Sequence, residues 1–257
     1  MLQEDRARVI PSSTAVRSVI LIPSYLELET LPMLLSELIP HLTDQTRVVV
    51  IDDSPDEIAN LIRDRCRSVL GKAGEFAHFI STGVKGGRGA AVRRGMELSI
   101  RAFPGLERCV ECDADGSHRA TDIIRVMTSP APVDLLVGSR YLATSEIVGW
   151  TFARRTQSRI LNVVIPKVLG VPLRDITNGL RRYSRVALQA ILEYPAQSSA
   201  FVYLSEQAFR VVRAGLTVEE LPIRFEERRA GSSTVTRDEL VRSLRDLVKT
   251  VRIRFSR

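Results

Sequence analysis

The chain has 257 residues, 44% of them hydrophobic, enough to bury one sizeable core in a single α/β domain. A net charge of +7 favours anionic partners such as nucleotides, lipid phosphates or acidic membranes, while 5% aromatics and no nucleic-acid motif argue against DNA or RNA. Three cysteines, Cys66, Cys109 and Cys112, are too few and odd in number for a disulfide framework and fit a reducing compartment.

Residues 1–17 read as a polar extension without the apolar region of a secretory leader. Ser18 to Pro23 is a short β-branched run and predicts a buried strand. Leu31 to Leu42 places leucines at helical spacing. Arg47 to Ile51 predicts a second buried strand ending in Asp52-Asp53, and Ile58 to Leu70 a helix. Phe76 to Ile80 predicts a third strand. Gly86-Gly87-Arg88-Gly89 then opens a helix through Ala90, Ala91, Val92 and Met96. Cys109 to Cys112 predicts a fourth strand, ending in Asp113-Ala114-Asp115. On a strand, residues three apart face opposite sides, so Cys109 and Cys112 read as buried structural thiols rather than a zinc or redox pair. Asp134 to Val137 predicts a fifth strand, ending in Gly138-Ser139-Arg140-Tyr141.

Glu146 to Glu220 reads as largely helical, followed by a short strand within Thr217 to Phe225. Ile160 to Leu173 is apolar but interrupted by Asn162, Pro166, Lys167, Gly170 and Pro172. That is shorter than the ~18 apolar residues a membrane span needs, so the stretch belongs to the core or lies on a membrane surface. Residues 236–257 alternate leucine and valine with Arg242, Arg245, Lys249, Arg252 and Arg254, a basic amphipathic helix.

Continuous apolar strands alternating with helices predict a mostly parallel, Rossmann-like sheet covered on both faces. Such sheets bind ligands at the carboxyl ends of their strands, where the polar clusters fall. Asp113 and Asp115, two apart at a strand end, can converge on one divalent cation. Mg²⁺ or Mn²⁺ prefers hard oxygen ligands and keeps positions for phosphate oxygens. Asp53 can accept hydrogen bonds from a base or ribose, or cap a helix. The Lys85 to Gly89 loop precedes a helix, where backbone amides suit phosphate, or it is a plain tight turn. It has neither Walker spacing nor the position of a dinucleotide fingerprint.

The motifs Pro23-Ser24-Tyr25-Leu26-Glu27, Asp52-Asp53, Gly87-Arg88-Gly89-Ala90-Ala91-Val92-Arg93-Arg94-Gly95, Asp113-Ala114-Asp115-Gly116-Ser117-His118, Gly138-Ser139-Arg140-Tyr141, Asp175-Ile176-Thr177-Asn178-Gly179 and Arg228-x-x-Gly231-x-Ser233 occur in order. Together they resemble the inverting family-two glycosyltransferases of GT-A fold, and within them the dolichol-phosphate mannose synthase group. The resemblance spans about Val19 to Ser233, so residues 18–235 are expected to form the GT-A domain. It implies that Pro23, Tyr25, Glu27 and Asp53 hold the nucleoside, with Gly87, Arg88 and Ala114 in the same nucleotide site. It implies a metal site at Asp113, Asp115 and Ser117. It also implies that Arg140, Arg154, Ser158 and Arg228 gather around the donor diphosphate and the acceptor phosphate. With Asp115, the three arginines are the expected catalytic groups.

Residues 146–173 correspond to the membrane-lying helices of that group. The implied partners are a nucleotide-sugar donor, GDP-mannose first, a polyprenyl phosphate acceptor and a membrane surface at its cytoplasmic face. Leu26 replaces the family's asparagine, Asp52 to Asp56 is a shortened form of its acidic motif, and Thr234 replaces its lysine. Two other readings stay open: a UDP-sugar donor on the same fold, and a non-catalytic nucleotide-sugar-binding protein at a membrane.

Overall fold

The computed structural model describes residues 10–196 and 202–227. Arg228, its glycine-serine motif and the expected C-terminal helix lie outside them. The central sheet has seven strands: β1 (Ser18–Ser24), β2 (Thr46–Asp52), β3 (Ala77–Ser81), β4 (Arg108–Glu111), β5 (Leu135–Ser139), β7 (Arg181–Ser184) and β8 (Val218–Pro222). Their spatial order is β3-β2-β1-β4-β7-β5-β8. Only β7 runs antiparallel, against β4 and β5. A small second sheet pairs β6 (Glu146–Ile147) with β9 (Arg224–Phe225) in parallel.

Alternation along the strands divides the interior in two. Val19 and Leu21 of β1, Val49 and Ile51 of β2 and Cys109 of β4 enter one core. Ile20, Ile22, Val48, Val50, Val110 and Cys112 enter the other. A one-residue slip in register would exchange every one of these side chains, which is why the pattern fixes the pairing. The first core is covered by α3 (Arg88–Ala102), α6 (Arg185–Leu192) and α7 (Tyr203–Arg213). The second is covered by α1 (Thr30–Leu38), α2 (Asp56–Leu70) and α4 (Ala120–Thr128). Each fully buried Leu, Ile or Val contributes ~1.5–3 kcal/mol. Gly95 lets α3 lie close on β1: a Cβ there would come 2.2 Å from Leu21 Cδ1. Ile10 and Val16 are buried in the first core, so the polar lead is in part a packed segment.

The three cysteines are free and buried, with Cys109 and Cys112 on opposite faces. Burial pushes the Cys66 and Cys112 thiols up to about 12 and keeps them protonated.

The stretch 146–220 departs from its helical reading. α5 (Phe152–Leu169) is helical, but β7 is a strand in the middle of the sheet although its sequence is Arg-Arg-Tyr-Ser. The charges are accommodated by carbonyls. Arg181 donates to Asn178 O (2.8 Å), Leu204 O (2.6 Å) and Ile176 O (2.5 Å). Arg182 donates to Ser129 O (2.5 Å) and Ala131 O (2.6 Å).

α5 turns Asn162, Ile165, Pro166 and Leu169 inward and leaves Phe152, Ile160, Leu161, Val163, Val164 and Val168 exposed. Among the described residues no helix is long and apolar enough to cross a membrane.

Candidate active site

The carboxyl ends of β1, β2, β4 and β5 meet at one rim, with Ser24 and Asp52 directly paired. Beyond β4 the chain turns through Asp113, Ala114 and Asp115. Gly116 takes φ 76, a left-handed value that suits glycine. Ser117 N donates to Asp115 Oδ1 at 3.0 Å and closes the turn. Both aspartates are partly exposed, while Ala114 and Ser117 are buried. The Ser117 hydroxyl is buried, with no hydrogen-bond partner among the described residues. An orphaned hydroxyl beside two carboxylates is a set of hard oxygen donors that fits Mg²⁺ or Mn²⁺. Among the described residues no cluster of three His, Cys, Asp or Glu side chains forms. A cation here would therefore complete its shell with water or ligand oxygens.

His118 fastens this turn to the rest of the rim. Its Nδ1 accepts from Asp113 N at 3.1 Å, so Nε2 carries the proton and donates to Asn178 Oδ1 at 2.8 Å. Asn178 Nδ2 in turn donates to Gly138 O. The ring packs edge-on against Phe225, and Glu226 N donates to Ser117 O at 3.1 Å. Burial lowers His118 from 6.5 to about 4, with the Asn178 bond and Asp115 opposing the shift in part. The unfolded chain binds this proton near pH 6.5 and the folded chain only near 4, so stability falls as pH drops through that window. We expect His118→Gln to flatten the fall in stability between pH 7 and pH 4, read from urea melts at both pH values.

Arg88, expected in the nucleotide site, is turned into the protein. Its Nη2 donates to Glu111 Oε1 at 2.8 Å, its Nε donates to Tyr203 Oη at 2.5 Å, and its Nη1 pairs with Asp113 Oδ1. Glu111 is fully buried and also accepts from Tyr203 and, at 3.1 Å, from Tyr183 Oη. Burial works against the Arg88 charge, but Tyr203 and Glu111 outweigh it and hold the guanidinium above its ordinary value. Arg88 is thus held as a counterion to Glu111 and Asp113.

The glycine loop is likewise already engaged. Gly86 N and Gly87 N donate to Asp53 Oδ2 at 3.0 and 3.1 Å, and Thr82 Oγ1 donates to Asp53 Oδ1 at 2.8 Å. Asp53 thereby holds the start of α3 in place. Pro23 is buried at the end of β1. Tyr25 lies beyond it with Lys85 Nζ 4.7 Å from its ring centroid. Leu26 takes φ 63 and donates its N–H to Ser54 Oγ at 2.8 Å. Glu27 accepts from Thr30 Oγ1. This group borders the rim beside the acidic turn.

Arg140 was expected on phosphate, and its guanidinium is already committed. Nε and Nη2 make a two-pronged pair with Asp175 at 2.8 Å each, Arg140 N adds a third bond at 2.9 Å, and Nη2 also reaches Thr177 Oγ1 at 2.7 Å. Asp175 is fully buried and Arg140 is 8% exposed. Arg140 also lies 5.1 Å from the Trp150 ring centroid and 5.2 Å from that of Phe225. It positions the rim instead of presenting a charge to solvent.

Arg154 is the more open cation. It donates to Glu227 Oε1 at 2.5 Å, is 41% exposed and lies over the Trp150 ring at 4.3 Å. Ser158 Oγ accepts from Tyr141 Oη at 2.6 Å. Glu111, Tyr203 and Trp150 are partners that the sequence did not single out, whereas His118, Asp175 and Asn178 lie in motifs that stood out without a role for these side chains.

No protein-family model matches the chain. In structure it is similar to glucosyl-3-phosphoglycerate synthase from Mycobacterium tuberculosis in complex with UDP: TM-score 0.61, 16% identity, 93% of this chain and 80% of that one. The same enzyme in complex with Mn²⁺, UDP-glucose and phosphoglyceric acid gives TM-score 0.61 at 17% identity over 93% of this chain and 79% of that one. The mostly parallel sheet flanked by helices is the GT-A fold that it shares with these neighbours.

In sequence it is 32% identical over 235 residues to polyprenol monophosphomannose synthase of Mycolicibacterium smegmatis, covering 91% of this chain and 85% of that one. It is 30% identical over 221 residues to undecaprenyl-phosphate mannosyltransferase of Micrococcus luteus, covering 86% and 88%. The chain belongs to the polyprenyl-phosphate mannosyltransferase family.

Proposed function

We propose that this enzyme transfers mannose from GDP-mannose to a polyprenyl phosphate with inversion, using Mg²⁺ or Mn²⁺. The observation that carries this reading is the Asp113-Ala114-Asp115 turn at the end of β4, in a chain 32% identical to a polyprenol monophosphomannose synthase. Asp113, Asp115 and Ser117 would hold the cation, and when bound it supplies charge stabilisation to the departing diphosphate. Pro23, Tyr25, Glu27 and Ala114 would frame the nucleotide, with Asp53 and Gly87 shaping the wall behind it.

The acceptor's phosphate oxygen forms a bond to the anomeric carbon as the bond from that carbon to the diphosphate breaks, and GDP leaves with the electron pair. A lipid phosphate is anionic at neutral pH, so no general base has to remove a proton. The acceptor phosphate would be met by Arg154 and Ser158, with Arg228 the further arginine expected to bind it. Arg140 acts one step back, holding the Asp175 to Asn178 loop under Ser139 and Trp150. Arg154 depends on its flat contact with Trp150 for its aim.

The outward face of α5 supports peripheral attachment to the membrane that carries the acceptor. Phe152 is 85% exposed and Ile160 57%, beside Leu161, Val163 and Val164, with Arg155, Arg159 and Lys167 on the same helix. An apolar face with basic residues among it suits an anionic lipid surface. The free, buried cysteines suit the cytoplasmic face. α5 also carries Arg154 and Ser158, so a lipid held along it would deliver its phosphate to the rim.

Thermal melts with Mn²⁺ and a panel of nucleotides test the donor. GDP is expected to raise the melting temperature and UDP to leave it unchanged, because a ligand stabilises only the state that binds it. A shift with UDP alone would replace the donor assignment.

A further inference from the structure

Glu111 ends β4 and Asp113 lies two residues further on, and Arg88 reaches across to both. Its position is determined from three directions. Glu111 receives Nη2 at 2.8 Å, Tyr203 receives Nε at 2.5 Å, and the backbone of Gly179 closes the remaining side. A Cβ on Gly179 would sit 2.5 Å from Arg88 Nη2. Gly179 has no positive φ, so its missing side chain answers to space alone.

The guanidinium takes Oδ1 of Asp113. Oδ2 lies 3.5 Å from His118 Nδ1, but that nitrogen already accepts the Asp113 N–H and has no proton to give. The two oxygens of one carboxylate therefore differ: one is paired with a cation of the chain, and the other has no donor among the described residues.

We propose that Arg88 is a positioning residue that pins one oxygen of Asp113 and thereby confines the site to small divalent cations that accept a carboxylate through a single oxygen. This rests on the metal-dependent reading above. Mg²⁺ holds octahedral geometry with one oxygen per carboxylate, whereas Ca²⁺ takes more ligands and accepts both oxygens of one group. Releasing Oδ1 would let Asp113 close on the larger ion.

The test counts bound Mn²⁺ by electron paramagnetic resonance with GDP present, against a GDP control without protein, and titrates Mg²⁺ or Ca²⁺ to displace it. In the wild type, Ca²⁺ is expected to need about tenfold more than Mg²⁺. Gly179→Ala shifts the guanidinium without removing any charge. Arg88→Met combined with Glu111→Gln removes it without leaving a buried carboxylate alone. In each, once a cooperative melt shows it folded, the ratio of Ca²⁺ to Mg²⁺ needed is expected to fall about fivefold or more. If the double variant does not fold, Gly179→Ala decides. A wild-type ratio in either folded variant overturns the role of Arg88 while leaving the metal reading intact. Absence of protein-bound Mn²⁺ in the wild type overturns both.

Discussion

Asp115→Ala is expected to lower sugar transfer about a thousandfold or more while the enzyme stays folded. Cation-assisted stabilisation of a leaving group is worth several kcal/mol, and each ~1.4 kcal/mol is a factor of ten in rate. Asp115 is partly exposed and accepts a bond from Ser117 N at 3.0 Å. Losing such a bond costs about 1 kcal/mol, a few degrees of melting temperature in a chain of this size. Initial rates of transfer set beside a thermal melt of the same preparation separate the two effects. Activity within tenfold of the wild type would remove Asp115 from the chemistry.

Asp175→Asn is expected to do the reverse, acting first on stability. Asp175 is fully buried and accepts three bonds from Arg140, whose charge has no other carboxylate in contact among the described residues. Taking away one partner of a buried ion pair leaves the other charge uncompensated and costs ~3–5 kcal/mol. Urea unfolding should show that loss, with a melting temperature lower by about 10 °C. Replacing both residues, Arg140→Met with Asp175→Leu, should recover a good part of it, because neither charge then remains buried. Transfer should fall in both variants, since Arg140 lies against Trp150, on which Arg154 rests. An Asp175→Asn enzyme as stable as the wild type would show that the pair is dispensable to the fold.

The parts of the molecule legible in the sequence are those in which one residue's neighbours along the chain decide its environment. β1, β2 and β5 are continuous β-branched or leucine runs, and a strand buried on both faces reads that way. The ends of β2 and β4 bring Asp52-Asp53 and Asp113-Ala114-Asp115 to one rim by topology alone. β7 was not legible, because Arg181 and Arg182 look like surface charges until the carbonyls of Asn178, Leu204, Ser129 and Ala131 are seen around them.

The same limit applied to the site. Arg140 and Arg88 carried the right charge for phosphate, but each is neutralised by a carboxylate distant or inconspicuous in sequence, Asp175 for one and Glu111 with Asp113 for the other. Hydrogen bonds from Gly86 and Gly87 to Asp53 likewise join residues more than thirty positions apart. Periodicity does not say which face of α5 meets the core. The inward turn of Asn162 toward Thr177, with a bond of 2.8 Å, settles that, and the apolar face points outward.

One measurement bears most directly on the account: purified enzyme with radiolabelled GDP-mannose, polyprenyl phosphate in lipid vesicles and Mn²⁺, followed by extraction and determination of the sugar's anomeric configuration. The prediction is a lipid-linked mannose of configuration opposite to the donor, formed only while the cation is available. A product that keeps the donor's configuration, or one formed undiminished in excess chelator, would contradict it.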